Sequence, residues 1–267
     1  MTTPGYLNQC GEELENYLRL RTSPIALKLL EKATEVPAGA KRPKPDLGVH
    51  LAMCQAFAMV RRQRVTLALL KEDHWCWAPL IGYGLVKCEE GDEGFQDIYK
   101  RLFVEDMDRA REHLGKRFPR LEFGKFAGLA IGPLRSANFE PDLVLIYSNT
   151  AQLRSMLLAV KYKTGALLAS QFDPIDSCVF SVVPPLLDGE YRITLPDPGE
   201  YERAMAGEDE IIFSVPTGKL EELMAGLRHL EDKHLGYTHF APVMQVDFPQ
   251  PDFYRKLFRM WGLDGTE

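Results

Sequence analysis

The sequence predicts an α/β or α+β fold, with internally duplicated strand-helix-strand units in one compact domain, and three observations carry that expectation. Short apolar runs such as VTLALL (65–70) and LVLIY (143–147) alternate with segments whose apolar residues recur at helical spacing. The order strand 24–31, helix 47–63, strand 65–73 returns as strand 141–148, helix 150–164, strand 166–174. A cysteine also follows the second strand of each copy: Cys76 stands eleven residues after Val65, and Cys178 twelve after Ala166. With 45% hydrophobic residues among 267, the chain has material for one core. We therefore expect a single domain over 1–267, with halves of about 1–118 and 119–250 and a C-terminal helix at 251–262.

The elements follow in chain order. QCGEELENYLRLR (9–21) spaces Leu14, Tyr17 and Leu18 as an amphipathic helix, which Pro24 ends before the strand SPIALKLLEK. Residues 33–46 hold three prolines and one glycine without apolar period and read as a long loop, a length often tied to function. A helix over 47–63 places Leu51, Cys54, Phe57 and Ala58 on one face and ends in basic residues that suit its C-terminal dipole. After the strand 65–73 comes a turn holding Cys76 and Pro79, then a short glycine-containing segment and an acidic loop. A polar helix (94–118) leads to strands at 126–134 and 141–149, a helix at 150–165 opened by Thr150 and closed by Gly165, and a strand at 166–174. Strands at 191–195 and 211–215 and helices at 217–233 and 252–262 complete the chain.

A formal charge of −6 and a pI near 5.6 leave no broad basic surface, so no nucleic-acid partner is expected; VRRQR (60–64) and GAKRPKP (39–45) read as a helix end and a loop. The apolar runs are far shorter than the ~20 residues of a bilayer span. The first residues lack a basic-then-apolar leader. These features predict a cytoplasmic protein with reduced thiols and no membrane partner. The C-terminal helix, with Phe253 and Trp261, suggests core packing or a homo-oligomer contact.

No CxxC pair, GxSxG, Walker or HExxH pattern occurs, and Gly82 and Gly84 lack the third glycine and preceding strand of a dinucleotide fingerprint. His229, His234 and His239, five apart, share no helix face and read as exposed loop residues. Of the five cysteines, Cys10 and Cys88 read as core residues. Cys76 and Cys178 occupy matching turns, and Cys54 lies on the first copy's helix, four residues after His50. Three soft thiolate ligands suit an iron–sulfur cluster, with one iron left open to substrate, or zinc; the alternative is three core cysteines and no metal. Trp75, Trp77, Tyr83 and His50 are candidate walls of a pocket beside Cys76.

At SPIALKL (23–29), MCQAFAMVRR (53–62), CWAPLIGYGL (76–85), DSC (176–178) and GEDEIIFSVP (207–216), the chain resembles the bacterial and archaeal family called domain of unknown function 169, also known as uncharacterised ArCR. The resemblance spans 20–230 and implies no established activity. It implies that the family's cysteines map onto Cys54, Cys76 and Cys178. The GDR triplet associated with the family is replaced here by EYER (200–203), so the resemblance assigns Arg203 no role. The expectation is a protein that binds an iron–sulfur cluster or metal through three cysteines and acts on a small molecule or passes electrons to a redox partner. The alternative is a non-enzymatic small-ligand or partner-binding module with structural cysteines.

Overall fold

The computed structural model describes residues 4–87, 93–239 and 251–262. Six strands, β1 (Ile25–Leu30), β2 (Leu67–Leu70), β3 (Gly128–Pro133), β4 (Leu143–Ser148), β5 (Arg192–Thr194) and β6 (Ile211–Pro216), join in the order β2-β3-β1-β4-β6-β5, each neighbouring pair antiparallel. Around the sheet lie α1 (Pro4–Leu18), α2 (Pro43–Leu47), α3 (Met53–Gln63), α4 (Trp77–Gly82), α5 (Glu93–Phe103), α6 (Met107–Glu112), α7 (Thr150–Thr164), α8 (Ser177–Phe180), α9 (Val183–Asp188), α10 (Pro198–Arg203), α11 (Thr217–Asp232) and α12 (Asp252–Met260). Helices on an antiparallel sheet make the class α+β.

Both sheet faces are covered. Ala26 and Leu30, Val144 and Ile146, and Phe213 and Val215 meet α1, α7 and α11, whereas Ile25 and Leu27, Leu143 and Leu145, and Ile212 meet α3, α4, α8 and α9. That is why the central strands read as nearly continuous apolar runs rather than alternating ones. No helix among the described residues is long and apolar enough to cross a membrane.

The expected duplication of strand-helix-strand units is not found. Residues 166–174 form no strand: Leu167 is exposed, and Ser170 meets β5 through its hydroxyl, which accepts from Ile193 N (2.8 Å), rather than through a backbone ladder. The helices after β1 and β4 also lie on opposite faces, so exchanging the two strands does not superpose α3 on α7. Only the strand order repeats. From the centre outward each half runs first, third, second, with β5 where 166–174 was expected.

Four further differences have local causes. The helix expected from residue 47 starts at Met53, because the backbone of Leu51 is engaged in a parallel bridge with His74 (Leu51 N to Asp73 O, 3.0 Å; Trp75 N to Leu51 O, 3.3 Å). The helix 94–118 divides where the Asp106 carboxylate accepts from Arg109 N (2.8 Å) and opens α6, which runs into a π turn at His113–Arg117. Asn149, rather than Thr150, caps α7: its side chain accepts from Gln152 N, and the Gln152 side chain accepts from Asn149 N, a reciprocal capping box. The loop 33–46 leads into α2 and is tied down by buried Asp73, which accepts from Lys44 N, Leu70 N and the Arg42 guanidinium. This carboxylate fixes the segment that delivers Cys76.

Helices α7 and α11 pack along each other, and a Cβ on Gly226 would stand 2.2 Å from the Ala159 carbonyl oxygen. Gly226→Ala must separate the two backbones and is expected to cost about 1–3 kcal/mol. A urea titration would show this as a lower midpoint at unchanged slope, and an unchanged midpoint would contradict it.

Candidate functional site

Four segments converge on the sheet face that carries Tyr147. The bridge of Leu51 to His74 holds the turn after β2 against the first residues of α3, and so sets Cys76, the N-cap of α4, beside Cys54 in the first turn of α3. Next, α4 crosses α8 at close range. A Cβ on Gly82 would lie 2.6 Å from Val179, and the Tyr83 hydroxyl donates to the Cys178 carbonyl at 2.7 Å. Finally, Asp197 ties α8 to α10: its carboxylate accepts from Glu200 N (2.9 Å), capping α10, and from Ser177 N (2.9 Å).

These constraints bring the three expected cysteines into one neighbourhood. Cys54 and Cys178 are buried, and Cys76 is partly so. Cys76 packs against the group formed by Ala52, Cys54 and Ala204 and also against the core cluster that contains Cys178. Burial pushes the Cys54 thiol up to about 11, helped by Glu200, while the Arg203 guanidinium lies against its sulfur and pulls the other way. Burial likewise raises Cys76, and it raises Cys178 strongly, with Asp197, Cys76, Asp176 and Cys54 all adding to the effect on Cys178. All three are therefore neutral thiols near pH 7, whose protons leave only if positive charge arrives.

Beside the thiols lies a set of carboxylates. Glu200 is fully buried; its Oε1 accepts from the Tyr147 hydroxyl (2.8 Å) and lies 3.2 Å from Ser177 Oγ, whereas its Oε2 has no partner. Burial, then the neighbouring Asp197, lifts its carboxyl to about 7. Asp176, with Oδ2 also unpartnered, is lifted to about 8 by burial and then by Asp197 and Asp173. Two protons are thus held near neutrality next to three thiols. Beneath them the buried Arg61 stacks on Tyr147 (4.0 Å to the ring centre) and grips Glu210 through two hydrogen bonds of 2.7 and 2.9 Å.

The aromatic residues divide. Trp75 is 52% exposed, donates from Nε1 to Gln55 (3.1 Å) and has the Arg203 guanidinium 5.2 Å from its ring, so it forms a rim. Tyr83 is buried beneath Cys178. Trp77 turns into a separate aromatic group with Phe95, Tyr99 and Phe118. His50 is exposed and precedes α3, so it shares no helix face with Cys54. Cys10 is a buried residue of the opposite sheet face, and Cys88 lies outside the described residues. His229 continues α11 and stacks on Tyr162 (3.7 Å) instead of lying in a loop.

Sequence reasoning missed Arg203, Glu200, Asp197, Tyr147 and Ser177. The Asp-Pro-Gly-Glu stretch at 197–200 carried a signal, since Asp followed by Pro opens a helix, here α10. A Cβ on Gly199 would lie 2.2 Å from the Arg203 guanidinium, so this glycine gives the side chain room to fold back toward Cys54. Among the described residues, no group of three or more His, Cys, Asp or Glu side chains is arranged to hold a metal ion. A broad open cleft of about 1520 Å³, lined by Lys28, Lys125, Asp142, Leu186 and Thr217 among others, opens where β1 ends and β4 begins and contains none of the cysteines.

A family model described as domain of unknown function 169, uncharacterised ArCR, matches residues 13–226. No curated protein and no solved structure matches.

Proposed function

The chain belongs to that family, whose description names no activity, and we propose from its own side chains that Cys54, Cys76 and Cys178 ligate an iron–sulfur cluster at which a small molecule is reduced. The observation that carries this reading is the meeting of two buried thiols and a partly buried one with one guanidinium, Arg203, in a single neighbourhood. Cys54, Cys76 and Cys178 would hold the cluster as thiolates, and the Arg203 guanidinium would offset part of the negative charge they bring. A cluster suits the site better than zinc, because it separates its ligand sulfurs over its own width, whereas one ion needs them around a single centre. Three protein ligands would leave one iron open to a substrate. Glu200 and Asp176, whose carboxyls are raised to about 7 and about 8, would then be the proton donors to the reduced product.

The electrons must come from a redox partner, and the four described cysteines are free, which fits the reducing cytoplasm we propose for the protein. A module that binds a small ligand without chemistry is the competing account, with the thiols serving only as core.

Cys54→Ser, Cys76→Ser and Cys178→Ser are each expected to lower the iron retained after oxygen-free reconstitution by about tenfold or more, a loss at least as large as that from altering an outer-shell partner. Cys10→Ser, on the other sheet face, should retain the wild-type amount. Equal iron in all four variants would favour the binding module.

A further inference from the structure

Beyond the region matched by the family model, which ends at residue 226, α12 carries a surface that the thiol site does not use. At about 100° per residue, Met260, Phe253, Leu257, Trp261, Tyr254 and Phe258 fall on one arc of about 160°, and Arg255, Arg259 and Lys256 fall on the opposite side. None of these residues is buried: Phe253 is 57%, Met260 78% and Trp261 60% exposed. An apolar face this wide, rich in Trp, Tyr and Phe, is expensive to leave in water.

We infer that α12 lies on an anionic lipid surface, with its aromatic arc in the headgroup boundary and its basic side chains toward the lipid phosphates. Charge decides among the occupants. The helix holds three basic residues and one acid, Asp252, whose carboxylate is bonded to Arg255 (2.6 Å), in a chain of net charge −6. Positive charge thus forms the polar side of the same helix that carries the apolar face, the pattern of a helix lying in a lipid interface. A second copy of the chain packed on the apolar arc would leave the basic residues, on the other side of the helix, without a partner. Anionic headgroups instead complement them, and Trp and Tyr rings favour the interface because one end is apolar and the other polar. The expectation of no membrane partner rested on run length, which concerns spanning; a helix lying in the interface plane needs only one apolar face.

The test is co-sedimentation of the full chain with vesicles of phosphatidylcholine alone or with added phosphatidylserine, at low and high salt. Binding to the anionic vesicles that weakens in high salt is expected. The combined variant Arg255→Gln, Lys256→Gln, Arg259→Gln should partition about a hundredfold less, from the contribution of each basic side chain near a charged surface. Phe253→Ser with Trp261→Ser should also release the protein, and because both residues are exposed, its circular dichroism should be unchanged. Three outcomes overturn the inference: no binding to anionic vesicles, equal binding to neutral ones, or a dimer in sedimentation velocity that the Phe253→Ser, Trp261→Ser variant dissociates.

Discussion

Replacing Arg61 with methionine is expected to destabilise the protein by about 3–5 kcal/mol, the cost of leaving a buried carboxylate without its partner. The Arg61 side chain has no exposure and that of Glu210 has 5%, so neither group regains water when the other is lost. Burial alone would raise the Glu210 carboxyl, but the two hydrogen bonds and the charge of Arg61 outweigh it and hold the group below its ordinary value. The pair thus survives as a pair. The double variant Arg61→Met, Glu210→Leu should recover most of the loss, because two apolar side chains of similar volume remove both desolvation penalties. Urea unfolding of the three proteins separates the cases, and a loss below about 1 kcal/mol in Arg61→Met would mean that Glu210 finds water or another partner.

Glu200→Gln is expected to change how stability depends on pH. The Glu200 carboxyl sits at about 7 when folded, against its ordinary 4.5, because burial and then Asp197 disfavour its charge. A carboxyl raised in this way gives its full contribution to stability below 4.5 and loses it as pH rises through 7. Glutamine carries no such proton, so the variant should gain on the wild type by about 3 kcal/mol between pH 4.5 and 7.5, at about 1.4 kcal/mol per pH unit. His74 acts in the opposite sense. Burial lowers it to about 4, so stability is lost as pH falls from 6.5 toward 4, but this loss is common to both proteins and cancels in their difference. A difference that stays flat across this range would show that Glu200 is ionised throughout.

Much of the fold was legible because apolar run length and helical period report burial directly. All six strands were bracketed to within three residues at each end, and even β5, only three residues long, fell inside 191–195. The failure at 166–174 is instructive. ALLAS has strand composition, but Leu167 points into solvent and Gly165, left-handed at φ 68°, has already turned the chain off α7. Composition describes what a segment can do, and the free sheet edge decides whether it does so.

The site was half legible. Cys54, Cys76 and Cys178 were singled out partly by a repeat that the structure does not contain, and what brings them together is the Leu51–His74 bridge, the Gly82–Val179 crossing and the Asp197 cap. None of these is a spacing rule. His50 was misplaced because helical phase was extended across Ala52, whose extended backbone breaks it. Arg203 and Glu200 share one short helix, and their role depends on Gly199 and Tyr147, contacts between segments that no local pattern encodes.

The central claim is that three thiols here are cluster ligands, and the most direct measurement is the iron and acid-labile sulfide content of the full chain purified and reconstituted without oxygen. The account predicts iron and sulfide in comparable amounts, with a broad visible absorption that a strong reductant bleaches, all lost together in the variant Cys54→Ser, Cys76→Ser, Cys178→Ser. Iron and sulfide no higher in the wild type than in that triple variant would contradict it and return the three cysteines to the core.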